Sequence, residues 1–182
     1  MIRITPNSIK RIKYHRYLTG NSKYAKDYNS LIQKCIKALL YYSAKDYSNG
    51  EVVFIINNNT FKVFKESQSN PNNVNISMYE DMLLKSSDTF TIIHNHNTEN
   101  GFSVTDLNTF LSVSSLTVSI VVENSGRKIY IMAKDNSYKL RLKLLGALAQ
   151  AIERINSSIR IEAKTYIEKL KVFGIEYNEY YN

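Results

Sequence analysis

The chain has 182 residues, 43% of them hydrophobic, a formal net charge of +8 and one cysteine. That length supports one domain with its own core, and the lone Cys35 excludes an internal disulfide and fits a reducing compartment. No apolar run approaches the roughly 18 residues of a membrane span, and the segment from Met1 to Pro6 has no signal-peptide core, so a cytoplasmic protein without a membrane partner is expected.

The positive charge is uneven. Residues 1–50 hold ten Lys/Arg against two Asp/Glu, residues 51–136 six against nine, and residues 137–182 eight against five. Acidic partners, nucleic acid among them, are therefore expected to meet residues 1–50; with no recognised nucleic-acid motif, a solvated basic surface is the competing reading.

Residues 1–26 are polar, basic and tyrosine-rich, with a turn signal at Gly20-Asn21-Ser22, and predict a loosely packed lead-in. From Asp27 to about Lys45, Leu31, Ile32, Cys35, Ile36, Leu39 and Leu40 recur at helical spacing. Cys35 lies on that apolar stripe, which makes it a core thiol rather than a nucleophile. Ser48-Asn49-Gly50 stops the helix. Glu51 then opens a strand, Val52 to Ile56, and Thr60 to Phe64 returns from a turn at Asn57-Asn58-Asn59 as the second arm of a hairpin. A polar loop from Ser67 to Asn75, containing Pro71, precedes a short helix from about Met78 to Lys85, with Ser77 and Glu80 in the capping-box pattern.

Thr89 to Ile93 forms an apolar strand that ends in His94-Asn95-His96. Residues at i and i+2 of a strand share a face, so both imidazoles can reach one metal ion. After a loop from Asn97 to Phe102, Ser103 begins a helix running to about Leu111, and Asp106 in its first turn offers an oxygen ligand. Leu116 to Val122 and Lys128 to Ala133 read as paired strands around a turn at Asn124-Ser125-Gly126. From Ser137 to about Val172 the pattern is helical, with a seam of Leu145, Leu148, Ile152, Ile155 and Ile159 expected to pack on its own domain. The order predicts an α/β or α+β fold, a mixed sheet flanked by helices. The chain divides into a lead-in (1–26), a metal-binding domain (27–135) and a C-terminal helical extension (136–182) that packs on the domain or on a partner.

A hydrolytic zinc site needs three protein ligands and an open position, a carboxylate to move protons and a donor facing the developing oxyanion. His94, His96 and Asp106 can supply the ligands for Zn2+ and Ser103 the donor. The base must be an acidic residue brought in by the fold. Ser103-Val104-Thr105-Asp106 is also a plain helix-start pattern, so capping alone would explain those two residues.

At these residues the sequence resembles the JAMM (JAB/MPN) metalloprotease family, including its RadC-like branch. The family pattern is a Glu heading a strand, then His-x-His-Pro, then Ser-x-x-Asp; the corresponding segments here are Glu51 to Ile56, His94 to Asn97, and Ser103 to Asp106. The resemblance spans roughly residues 27–135. It implies a JAB/MPN-like, cytidine-deaminase-like sheet, zinc on His94, His96 and Asp106, Glu51 as general acid/base, and Ser103 stabilising the tetrahedral intermediate. The implied reaction is hydrolysis of a peptide or isopeptide bond, on a protein substrate or a ubiquitin-like conjugate. The wording of the motif is similar also to JAB-type domains of phage and mobile elements. Two departures stand out: Asn97 occupies the usual Pro position, and six residues separate His96 from Ser103 where seven is commoner.

Glu66, Glu80 and Glu99 compete with Glu51 for the role of base. His-Asn-His is not the HNH nuclease motif, because no histidine follows His96. His15, among Lys13, Tyr14 and Arg16, reads as surface. The expectation is a zinc hydrolase. The alternatives are a binding or scaffold module of the same fold with a silent site, and a RadC-like, DNA-associated mobile-element protein using residues 1–50.

Overall fold

In the computed structural model of the chain, residues 2–17, 25–46, 49–67, 77–135, 147–152, 154–155, 163–167 and 169–182 are described. The apolar, β-branched runs form strands β1 (Val52–Asn57), β3 (Phe90–His96) and β4 (Leu116–Glu123), buried almost throughout. They pair with β2 (Val63–Ser67), β5 (Lys128–Lys134) and β6 (Ile175–Tyr181) in one six-stranded sheet of order β2-β1-β3-β4-β5-β6. Every neighbouring pair is antiparallel except β3 and β4, which run parallel and are joined through helix α4 (Val104–Ser112). The fold is therefore a mixed sheet with helices, of the class the pattern predicts.

Strand alternation sends successive side chains to two cores. On one face Val53, Ile55, Ile92, Val121 and Met132 pack with Leu107 and Phe110 of α4 and with Leu83 of α3 (Ser77–Lys85). On the other, Val52, Phe54, Ile56, Ile93 and Ile120 pack against Ile32, Ile36, Leu39 and Leu40 of α2 (Ala25–Asp46). Cys35 is buried in this second core, as its place on the apolar stripe predicts.

Residues 2–17 are not a loose lead-in. Helix α1 (Pro6–Arg11) has a capping box between Thr5 and Ser8, and Ile4, Ile12 and Tyr17 are buried in the α2 core. The close approach of Ser8 to the β4–β5 turn requires Gly126, at φ +68°: a Cβ there would stand 2.1 Å from the Ser8 carbonyl oxygen. Sequence periodicity missed this docking because it rests on single contacts distant in sequence. His15 is half-buried rather than a surface residue, its Nε2 lying 2.8 Å from Asn182 Oδ1.

The C-terminal residues are not only helical either. Ala149, Ile152, Ala163 and Ile167 are buried in the α4 core, with Leu148 packed against it, and β6 then adds the sixth strand beside β5. The seam thus faces its own domain at Leu148 and Ile152, whereas Ile155 is exposed. Leu145 and Ile159, the turn at Gly20-Asn21-Ser22, most of the Ser67–Asn75 loop and the Ser77 side chain lie outside the described residues. No helix among the described residues is long and apolar enough to cross a membrane.

Lys134, 8% exposed on β5, is enclosed by the α4 side of the sheet. Its Nζ donates to the Val113 carbonyl at 2.8 Å and sits 4.7 Å from the Phe110 ring centre. Burial pushes its pKa down to about 7. The unfolded chain keeps this proton up to about pH 10, so unfolding takes up a proton between the two values and this group makes stability rise with pH over that window. The urea midpoint is expected to rise from about pH 7 to about pH 9, and Lys134→Met to flatten the rise. An unchanged slope in the variant would remove Lys134 as its source.

Candidate metal centre

The site lies at the carboxyl end of β3, where the strand leaves the core. His94 and His96 continue the face that begins with Phe90 and Ile92, and both imidazoles are buried. Asp106 arrives from the first turn of α4. Its position is fixed by the capping box: the Asp106 backbone N–H donates to Ser103 Oγ at 3.1 Å, while the Ser103 N–H and hydroxyl each donate to Asp106 Oδ2 at 2.7 Å. Capping and ligand presentation are thus one arrangement.

The three side chains converge. His94 Nε2 is 3.1 Å from His96 Nε2 and 3.0 Å from Asp106 Oδ1, and His96 Nε2 is 3.4 Å from Asp106 Oδ2. A tetrahedral ion with bonds of about 2.0–2.1 Å spaces its ligand atoms about 3.3 Å apart; the two imidazole nitrogens are near that spacing, and one ligand atom from each of the three residues lies within 4.8 Å of the others. The tautomer of His96 agrees. Its Nδ1 lies 2.6 Å from the Gly101 carbonyl, which can only accept, so Nδ1 carries the proton and Nε2 in the neutral ring presents a lone pair to the site. The buried group His94, His96 and Asp106 could hold a metal ion.

Charges within the cluster follow from burial and proximity. Burial and the neighbouring His94 push His96 down to about 4. His94 moves the other way: burial alone would lower it, but Asp106 and then Glu51 outweigh burial and raise it. Burial likewise raises Asp106, yet His94, His96 and the Ser103 hydrogen bond hold its carboxyl well below the usual range. Two of the three groups are thus held in the state a cation needs, Asp106 ionised and His96 neutral, whereas the raised His94 has to give up its proton when an ion binds.

Glu51 stands at the rim, Oε1 3.9 Å from His96 Nε2. Burial, opposed by His94 and reinforced by Asp106, pushes its carboxyl up to about 7. Of its rivals, Glu99 lines the same cleft but is exposed on the loop after β3, and the Glu66 and Glu80 side chains lie outside the described residues. Ser103 lines the same cleft, but its hydroxyl proton is used on Asp106, and donation to an oxyanion requires that bond to break. Replacing Ser103 by Ala is expected to cost about 1 kcal/mol through the lost cap, read as a lower urea midpoint. An unchanged midpoint would show that Asp106 is held without it.

Three supporting residues were missed by sequence reasoning. Asn95, pointing away from the metal side, accepts from the Val52 N–H at 2.8 Å and donates to Gly50 O (3.2 Å), Ser43 Oγ (3.2 Å) and Asn124 Oδ1 (2.7 Å). It therefore clamps both neighbours of Glu51 to the histidine strand. The available signal was an amide in the middle of an apolar strand, which has to find partners when buried. The single Tyr130 hydroxyl proton is shared between Glu123 Oε1 at 2.6 Å and the Glu99 carbonyl at 3.1 Å, which ties the 97–102 loop to β5. Gly101, at φ +63°, lies so close over the Tyr130 ring that a Cβ would approach it to 3.1 Å. The carbonyl that orients His96 is thereby fixed from β5.

The cleft over the site, about 1070 Å³, runs from Glu51 and the ligand cluster past Tyr130 to Lys164, Tyr177 and Glu179 beside β6. A scan against known protein families matches no family model to this sequence, and a search of characterised proteins finds no match either.

Proposed function

We propose that the chain is a zinc-dependent hydrolase of peptide or isopeptide bonds, working in the manner of the JAMM metalloproteases that its motif resembles. One observation carries the proposal: two imidazole nitrogens stand 3.1 Å apart and each faces the Asp106 carboxylate, one at 3.0 Å from Oδ1 and the other at 3.4 Å from Oδ2, with a second, raised-pKa carboxylate 3.9 Å from one of them. Two nitrogen donors and one oxygen favour zinc over calcium or magnesium, which prefer all-oxygen sites.

His94, His96 and Asp106 would hold the ion. When bound, zinc supplies Lewis acidity, which acidifies water and polarises a carbonyl. Glu51 takes the proton of the attacking water and returns it to the leaving amine, a cycle that suits a carboxyl with a pKa near neutrality. A nearby cation draws Glu51 toward its ionised form, the form needed to accept that first proton. The cleft toward β6 accommodates the chain on either side of the scissile bond, and its mixed lining of Tyr130, Lys164, Tyr177 and Glu179 suits a polypeptide with both polar and apolar side chains.

The test is metal analysis of the purified chain together with turnover of a peptide and of a ubiquitin-like isopeptide conjugate. About one zinc per chain is expected, lost in His94→Ala and in Asp106→Ala, with hydrolysis stopped by a chelator and restored by zinc. Protein prepared without chelator that binds no zinc would sink the proposal. Zinc bound without turnover of either substrate would leave a scaffold module of the same fold.

A further inference from the structure

We infer that the outer face of α2, together with residues 12–17 beside it, is a docking surface for the phosphate backbone of a polynucleotide. Lys26, Ser30, Lys34, Lys37, Tyr41 and Lys45 follow one another at intervals of three or four, which places them within one sector of about 100° on the helix. The opposite side of α2, carrying Ile32, Ile36, Leu39 and Leu40, is sealed against the sheet, so the cationic sector faces outward. From Lys26 to Lys45 the ridge is about 28 Å long, the span of about eight phosphates in one strand.

A second row reinforces it. Tyr17 N–H donates to Asn29 Oδ1 at 3.1 Å and Gln33 Nε2 donates to the Ile12 carbonyl at 3.5 Å, so residues 12–17 run along the flank of α2. Lys13 and Arg16, exposed on this segment, extend the positive field sideways. Among the described residues, Lys13, Arg16, Lys26, Lys34 and Lys37 form no salt bridge, unlike Lys85 and Lys164, so their charge is available to an outside anion.

Both a polynucleotide and an anionic membrane would answer this charge, and the side chains between the cations favour the first. Among the described residues of this surface, the large apolar side chains exposed are Tyr14 and Tyr41, at 48% and 49%. These rings can stack on bases, Tyr41 once the Lys45 ammonium, 5.6 Å from its ring centre, turns aside, whereas a helix that enters a bilayer surface presents Leu, Phe or Trp on an apolar face. The apolar face of α2 is already buried in the domain. The surface lies on the side of the sheet opposite the metal cluster, so it can hold a nucleic acid without obstructing the cleft.

The experiment is anisotropy titration of the full chain against a labelled oligothymidylate of about 20 nucleotides, longer than the ridge requires. If Lys13, Arg16, Lys26, Lys34 and Lys37 each meet one phosphate, the slope of log K against log salt is about −3.5, a loss of about 130-fold between about 50 and about 200 mM salt. Lys26→Glu/Lys34→Glu/Lys37→Glu is expected to reduce the slope by about 2 while zinc content and hydrolysis stay at the parent level. Tyr41→Ser should weaken binding by about fivefold or more with little change of slope. No binding at about 50 mM salt, an unchanged slope in the triple variant, or binding only to vesicles containing phosphatidylserine would each overturn the inference. Should the triple variant not fold, Lys34→Gln/Lys37→Gln, expected to lower the slope by about 1.4, carries the same comparison.

Discussion

Exchange of Glu51 for Gln is expected to leave zinc bound at the parent level and to reduce kcat by about 10²–10⁴-fold, the usual contribution of a positioned acid/base group. The side chain keeps its shape and its place at the rim, 3.9 Å from His96, and the three ligand side chains are untouched. What disappears is the ability to accept a proton at Oε1. Parallel measurement of metal content and single-turnover hydrolysis separates the two effects. Undiminished turnover would strike Glu51 from its role, and loss of zinc would mean that Glu51 is itself a ligand. Because the amide is neutral at every accessible pH, residual activity in this variant should also lose any ionisation that belongs to Glu51.

The largest stability loss is expected at a residue that faces away from the candidate metal cluster. Asn95→Ala removes the acceptor of the buried Val52 N–H and the donor to the buried Asn124 Oδ1, and it thins the set around Gly50 O, which keeps the Ser43 hydroxyl at 2.6 Å. Two buried polar groups left without partners cost about 1–3 kcal/mol each, so a loss of about 3 kcal/mol in urea unfolding is expected. The same substitution frees the Gly50-Glu51-Val52 corner, so kcat should fall while zinc affinity holds, because the ligands are anchored by β3 and α4. Stability within about 0.5 kcal/mol of the parent would show that water replaces the amide.

What could be read from the sequence was whatever rests on local periodicity. The apolar, β-branched runs from Val52 to Ile56 and from Thr89 to Ile93 announced buried strands, and the i, i+2 spacing of His94 and His96 placed both imidazoles on one side; Ser103 and Asp106 announced the cap that presents the carboxylate. What escaped were contacts made once, between distant positions. Ile175–Tyr181 is rich in tyrosine and glutamate and lacks the apolar run of a central strand, because it forms an edge and buries little besides Ile175. Thr5 to Arg11 is too short to show a helical period, and its docking depends on the bare backbone at Gly126. The distance from Glu51 to His96 is set by an amide on the far side of the sheet, which no spacing rule reports.

The pairing of β3 with β1 makes the proposed chemistry depend on parity. His94 is opposite Val53, and each step along the strand exchanges cleft for interior. Removal of one residue between Phe90 and Ile93 would turn both imidazoles inward against α2 and swing the Asn95 amide out over Asp106, abolishing the ion site and leaving the corner before β1 unfastened in a single event. Residues 97–102 are under no such rule, since a loop can grow or shrink by one and still deliver the next helix. Length variation in descendants of this sequence is therefore expected to collect after His96 and to spare the six positions before it.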